Sequence, residues 1–185
     1  ERSDSSMSAI NAYDGMDVNL LFHDAVRPLV SDRIITNCIV ALDEYNAIDV
    51  AVPATDTIIE VKENLIEKIP NRNNLRRGQT PQAFKIETIK KAYEIALSYE
   101  NFKATDDCGI VKKYLQNEKI YVVAGEESNM KLTYEEDLFL LDKLFQIRSR
   151  QSCQEFDSFE LLSNTVLVIF GGSYGIGFDI KDIAE

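Results

Sequence analysis

The chain has no tryptophan, a single histidine (His23) and three cysteines, Cys38, Cys108 and Cys153, with no Cys-x-x-Cys pair among them. So scattered a set of soft ligands argues against a structural zinc site. An odd number of distant thiols argues for reduced cysteines rather than a disulfide framework. Positive charge is also short: 20 Lys and Arg against 31 Asp and Glu leave −11 over 185 residues. Nucleic acid polymers and anionic membranes both need a basic surface, so neither is an expected partner. A small phosphorylated ligand is not excluded, because a local cluster of cations can outweigh the global charge. No apolar run approaches the ~18 residues of a membrane span, and no signal peptide opens the sequence. The cytoplasm is the expected compartment. With 45% hydrophobic residues, 28% charged and only four prolines, the composition is that of a soluble globular protein. Its length suits one good core, or one domain and part of another.

What is present is an alternation of strand and helix signals. Residues 18–22 and 47–52 are short apolar runs of buried-strand type, the second closed by Pro53. Between them Ser31 is placed to cap a helix reaching about Tyr45, with Ile34, Ile35, Cys38, Ile39 and Leu42 on one face. Residues 57–61 read as extended, and 65–69 return beside them as a hairpin-like arm. Helices are expected over 85–99, with Ile86, Ile89, Tyr93 and Ala96 inward, and over 107–116. A strand follows at 120–124. Thr133 and Glu136 have the spacing of a capping box, opening an amphipathic helix to about Arg148 through Leu138, Leu141, Leu144 and Phe145. Polar residues 149–163 form the expected linker, and residues 165–170 start a new apolar strand. The expected organisation is one domain over 1–148 and the beginning of a second over 164–185.

Several segments carry candidate chemistry. Asp24 and Arg27 lie three residues apart where an apolar strand stops. A strand-end aspartate can hold a metal that bridges phosphate oxygens, with an arginine to neutralise developing charge; the same spacing also makes an ordinary loop ion pair. His23 carries no catalytic expectation. Arg72, Arg76 and Arg77, followed by Gln79, Thr80 and Gln82, form a loop able to read a phosphate and orient a polyol, or else a solvated basic patch. Thr105, Asp106 and Asp107 could close over substrate hydroxyls or cap the helix that follows. Lys131 lies just before the capping box, where it could meet a phosphate or stand exposed. Gly171, Gly175 and Gly177 directly follow an apolar strand and would open a helix, the context of a dinucleotide-binding turn.

Taken in order, Glu1-Arg-Ser-Asp-Ser5, His23-Asp-Ala-Val-Arg-Pro28, Asp56-Thr57, Arg72 with Thr80-Pro-Gln82, Thr105-Asp106 and Asn129-Met-Lys-Leu-Thr133 make a specific pattern. It resembles the cytidylyltransferases that join CTP to a sugar-alcohol phosphate. That family includes the methylerythritol phosphate enzymes of isoprenoid synthesis and the ribitol 5-phosphate enzymes of wall and capsule polymers. The resemblance covers about residues 1 to 148. It implies an α/β fold, a Rossmann-like nucleotidyltransferase sheet with helices on both faces and a β-arm. Residue by residue, it implies that Ser5 and Ala25 seat the cytidine, and that Asp24 lies near ribose, phosphates and Mg2+. Lys131 would contact the nucleotide phosphate, and Arg27 would organise the loop beneath it. Thr57, Arg72 and Thr105 would hold the phosphate and hydroxyls of the acceptor. The arm near 57–72 would embrace a second subunit in a homodimer, completing acceptor sites across the interface. The family's glycine-rich loop, which grips the triphosphate, is expected ahead of residue 1. Without it this chain is expected to release no pyrophosphate.

The tail, Phe170-Gly-Gly-Ser-Tyr-Gly-Ile-Gly177, resembles the cofactor turn of the short-chain dehydrogenases/reductases, which implies NADP(H) or NAD(H) at Gly171, Gly175 and Gly177. A cytidylyltransferase followed by such a reductase resembles the bifunctional bacterial enzymes that make ribitol 5-phosphate and then CDP-ribitol. Ribitol 5-phosphate is therefore the expected acceptor. The rival readings are methylerythritol 4-phosphate as acceptor, and a degenerate dimerisation module attached to a reductase.

Overall fold

Strands with consecutive buried residues dictate a sheet covered on both faces, since each face then carries apolar side chains. The computed structural model describes residues 2–99, 106–151 and 165–170. Helix α1 (Arg2–Ala12) precedes β1 (Asn19–Asp24), α2 (Asp32–Ala41) and β2 (Ala47–Pro53). The arm strands β3 (Glu60–Lys62) and β4 (Leu65–Lys68) lead through a short 3-10 turn to β5 (Arg76–Lys85). Then come α3 (Ile86–Leu97), α4 (Asp107–Tyr114), β6 (Ile120–Ala124), α5 (Glu135–Gln151) and β7 (Thr165–Phe170). The main sheet has the order β6-β2-β5-β1-β7; β5 is antiparallel to β1 and β2, while β2–β6 and β1–β7 are parallel.

Period-two alternation divides the core. Leu20, Phe22, Ala47 and Phe84 face α1, α3 and α4, where Ile10, Ile86, Ile89, Tyr93, Ala96, Ile110 and Val111 cover them. Leu21, Ile48, Val50, Ala83 and Val123 face the opposite side and meet Ile34, Cys38 and Leu42 of α2 and its end. Each large apolar side chain fully buried this way contributes roughly 1.5–3 kcal/mol. Burial, and secondarily the charge of Asp49, pushes the Cys38 thiol up to about 12, so it acts as a small hydrophobe. Ser31 caps α2 as expected, its Oγ accepting from the Ile34 N–H at 3.3 Å.

Three local expectations change. The segment from Arg72 to Phe84 is not all loop: its second half is β5, paired on both sides, with Gln79 through Phe84 buried. Pro81 and the polar residues around it hide this strand, because proline cannot donate to a ladder. The register accommodates it. Ile48 pairs with Ala83 and Val50 with Gln79, so residues 80–82 bulge opposite Asp49. The cap of α5 uses Asp137, not Glu136: its Oδ2 accepts from the Thr133 and Tyr134 N–H groups at 2.8 and 2.9 Å. Because the helix begins at Glu135, Asp137 occupies the third helical position that reaches back. Those two backbone bonds also hold its carboxyl below the usual carboxylate range. Along the helix Leu141 is buried, whereas Leu138 and Phe145 are exposed.

Strand β7 lies along the free edge of β1, in register from Asn19↔Thr165 to Asp24↔Phe170. Every residue of β1 but the first is buried, and a buried strand needs partners for its backbone groups on both edges. Most of the expected linker lies outside the described residues, as do Thr105 and the glycine turn at Gly171, Gly175 and Gly177.

Candidate active site

The carboxyl end of β1 carries Asp24 into a turn closed by the Arg27 N–H to the Asp24 carbonyl, 2.9 Å. The turn folds Arg27 back, placing its Nε 3.5 Å from Asp24 Oδ2. Lys131, on the loop after β6, brings Nζ to 3.3 Å from the same oxygen. One carboxylate oxygen thus lies between a guanidinium and an ammonium. Asp24 and Arg27 are nearly buried at 12% and 11% side-chain exposure, while Lys131 is 47% exposed and open to a ligand. Ala25 beside them is buried.

The bulge in β5 re-aims the side chains that hold this geometry. Thr80 Oγ1 accepts from the Asp24 N–H at 3.0 Å and lies 3.1 Å from His23 Nδ1. His23 Nε2 lies 3.0 Å from the Arg27 carbonyl. A carbonyl only accepts, so Nε2 carries the proton and Nδ1 receives the Thr80 hydroxyl. Burial is the main cause that lowers the His23 pKa, which favours this neutral form. His23 is a brace for the Asp24 turn.

A second set of amides clasps the Lys131 loop to β5. Gln79 Oε1 accepts from the Glu126 N–H and from Asn129 Nδ2, both at 3.3 Å, and Gln79 Nε2 donates to the Glu126 carbonyl at 2.8 Å. Asn129, fully buried, also donates to the Thr80 carbonyl at 2.8 Å. Its own carbonyl takes Arg27 Nη1 at 2.8 Å, and the Leu132 N–H reaches the Val26 carbonyl at 2.8 Å. A side chain at Gly125 would overlap Gln79 Oε1 and crowd Val50 Cγ1 at 3.1 Å. On the far side of the loop Glu126 accepts from Ser31 and Arg33. Burial pulls its pKa upward, but these donors outweigh it and the carboxyl ends below its ordinary value.

The other predicted residues lie elsewhere. Ser5 is exposed on α1, next to buried Ser6, whose Oγ donates to Asp107 Oδ1 at 2.8 Å. Tyr93 donates to the same oxygen at 2.7 Å. Asp106 caps α4 through the Gly109 N–H at 2.6 Å. Thr57 is exposed at the root of the arm. Arg72 is not in contact with Asp24 or Lys131; its Nη1 donates to the Thr55 carbonyl at 3.1 Å. With Pro53, Ala54, Thr55, Asn73 and Arg76 it lines a separate open cavity of about 450 Å3.

Among the described residues no three His, Cys, Asp or Glu side chains converge as a metal cage. Asp24 offers a single carboxylate beside two cations. That fits Mg2+ only in its usual nucleotide-bound form, with phosphates and water supplying the remaining ligands. Gln79 and Thr80, expected to orient a polyol, are instead buried and bonded to the Glu126 backbone and the Asp24 N–H, and Gly125 and Asn129 carried no expected role. The available signal was the density of amides and hydroxyls around Pro81, which reads as loop until β5 is known to be buried. No described helix is long and apolar enough to cross a membrane.

The chain is similar to several known proteins. The chain is 50% identical to the bifunctional ribulose 5-phosphate reductase/CDP-ribitol pyrophosphorylase Bcs1 of Haemophilus influenzae, over all of this chain and 40% of that protein. It is 46% identical to the 2-C-methyl-D-erythritol 4-phosphate cytidylyltransferase of Thermobifida fusca, over 78% of this chain and 61% of the relative. It therefore spans about half the length of these curated relatives. The crystal structure of 4-diphosphocytidyl-2C-methyl-D-erythritol synthase from Anaerococcus prevotii superposes with a TM-score of 0.73 at 34% identity, covering 79% of this chain and 67% of that one. Residues 1–146 match the family described as IspD, 2-C-methyl-D-erythritol 4-phosphate cytidylyltransferase, and on that match over most of its length the chain belongs to the IspD family of cytidylyltransferases.

Proposed function

We propose that the full-length protein transfers a cytidylyl group from CTP to D-ribitol 5-phosphate, giving CDP-ribitol and pyrophosphate. A phosphate oxygen of the acceptor attacks the α-phosphorus of CTP in line. The new P–O bond forms as the bond to the β-phosphate breaks, and pyrophosphate leaves with the electron pair. No proton shuttle is needed, because the attacking phosphate is already an anion.

In this reading Lys131 neutralises charge on the nucleotide phosphates, Arg27 fixes the turn beneath them, and Ser5 and Ala25 seat the cytidine. Asp24 would hold Mg2+, which would supply charge neutralisation at the phosphates when bound. That Lys131 already lies 3.3 Å from the strand-end Asp24 supports this reading, since electrostatic preorganisation requires the charge in place before the ligand. Thr57, Arg72 and Thr105 position the acceptor. Arg72 bonds the Thr55 carbonyl and lines a cavity whose lining includes neither Asp24 nor Lys131 of its own chain. Acceptor sites completed across a homodimer, with the arm near 57–72 reaching a second copy, account for this separation. The exposed apolar residues of the arm, Ile58, Ile59, Val61, Leu65, Ile66 and Ile69, support the same reading.

The observation that carries the choice of acceptor is the extent of the match. Likeness to the bifunctional relative continues through the tail with Phe170-Gly-Gly-Ser-Tyr-Gly-Ile-Gly177, whereas likeness to the Thermobifida fusca enzyme covers 78% of the chain. We accordingly read 1–148 as the transferase domain, 149–163 as linker, and 164–185 as the start of a reductase domain, although its first strand, β7, pairs with β1 in the sheet described above. Its turn at Gly171, Gly175 and Gly177 would take NADP(H) or NAD(H). Reduced, buried Cys38 and Cys108 support a cytoplasmic location.

The test supplies the full-length protein with CTP and each polyol phosphate separately, and follows pyrophosphate release. Preference for ribitol 5-phosphate by tenfold or more in kcat/KM is expected. Preference for 2-C-methyl-D-erythritol 4-phosphate would replace the acceptor, and turnover of neither would overturn the transferase reading.

A further inference from the structure

The arginines whose side chains are described in this acidic chain fall into two groups. Arg27, Arg33, Arg77 and Arg148 each lie within ion-pair distance of a carboxylate, on Asp24, Glu126, Glu127 and Glu126 respectively. Arg72 and Arg76 do not, among the described residues. Arg72 Nη1 donates to the Thr55 carbonyl at 3.1 Å, and Arg76 Nη1 donates to the Asn73 and Leu75 carbonyls, both at 2.9 Å. These two line the same cavity of about 450 Å3 at the root of the arm. A guanidinium has five N–H donors, so each has capacity left after its backbone bonds. Two like charges around one opening repel unless an anion joins them, and in a chain of net charge −11 acids to quench them are plentiful. Arg77, the next residue along the strand, shows the alternative: it is bound to Glu127 through both carboxylate oxygens.

We infer that Arg76 is a specificity-determining residue of the acceptor subsite, forming with Arg72 a two-guanidinium clamp for a phosphate dianion. Paired arginines match phosphate geometry with parallel N–H donors, and they distinguish a dianion from a neutral polyol. The opening is of a size for a sugar phosphate rather than a bare ion. It is not the triphosphate subsite of the same chain. Arg76 lies four residues before Thr80 on β5, about 13 Å at the ~3.3 Å rise of a strand, whereas Thr80 bonds the backbone of Asp24 directly. On the homodimer reading above, the clamp presents its phosphate to nucleotide held on a second copy. This inference rests on the transferase reading for its substrate, though not for its chemistry.

Steady-state kinetics of the full-length protein provide the first test. Arg76→Ala is expected to raise KM for the acceptor tenfold or more with KM for CTP within twofold. Arg76→Lys should recover part of the loss, and Arg77→Ala should change neither constant by more than twofold. An unchanged acceptor KM in Arg76→Ala, or an equal rise in both constants, would overturn the assignment. Inorganic phosphate, measured by equilibrium titration, separates this idea from the transferase reading. Binding weakened tenfold by Arg76→Ala but not by Arg77→Ala supports the clamp even where no polyol phosphate turns over, and binding insensitive to Arg76→Ala sinks it. Mixing Arg76→Ala with Lys131→Ala subunits should restore activity, since one hybrid site is intact; no recovery would refute presentation to a second copy.

Discussion

At the rim around Asp24, the side chains of Gln79, Thr80 and Asn129 are almost wholly buried and tie two loops to β5. In the arm formed by β3 and β4, every residue is exposed, and the strands pair only with each other. Glu63 and Asn64 at its tip adopt φ of 51° and 65°, the left-handed pair that a tight hairpin needs. The rim is fixed by its own network before a ligand arrives. The arm has a defined turn and no core, and a two-stranded hairpin alone is marginal in water. Precision at the first is built by the fold; at the second it must come from whatever the arm packs against.

Lys131→Ala in the full-length protein should break the rim's function with the largest effect. Turnover with CTP is expected to fall about 10²-fold or more, the scale for losing one preorganised charge-stabilising group. Because the side chain is half exposed, the unfolding free energy should change by less than about 0.5 kcal/mol. Rapid-quench turnover and urea unfolding on the same sample check both halves, and unchanged turnover removes Lys131 from the reaction. Gly125→Ala should act in the opposite sense, on structure first. The added methyl meets Gln79 and Val50, and overpacking of this kind costs about 1–3 kcal/mol. A urea midpoint equal to that of the parent would show that the clasp yields easily. The smallest change in stability belongs to the arm. Replacing Leu65 and Ile66 together by serine should alter unfolding of the sheet by no more than about 0.5 kcal/mol, yet shift sedimentation from dimer to monomer. A dimer that survives this double change would place the interface elsewhere.

Much of the fold follows from local pattern. The faces of α2 and α3 are readable from apolar spacing, and Ser31 and Asp106 from their positions ahead of helices. The central strand β5 is not, because its buried residues include Gln79, Thr80 and Gln82, whose value lies in bonds to partners distant in sequence. Gln82 Oε1, for instance, accepts from the Asp107 and Cys108 N–H groups at 3.2 and 3.3 Å. The Asp24–Arg27 contact is local and legible from spacing. The approach of Lys131 to the same carboxylate spans 107 positions, and no periodicity encodes it; only family resemblance brought the two together. The capping box was displaced by one position because helix starts are hard to place to the residue.

His23 is the sole imidazole in the chain, and its two ring nitrogens are assigned unequal duties by Thr80 and the Arg27 carbonyl. Nitrogen-15 resonances from one labelled histidine would therefore be free of overlap. Situated one peptide from Asp24, that ring gives the protein an intrinsic spectroscopic reporter, through which occupancy at the strand's end can be followed without adding a probe.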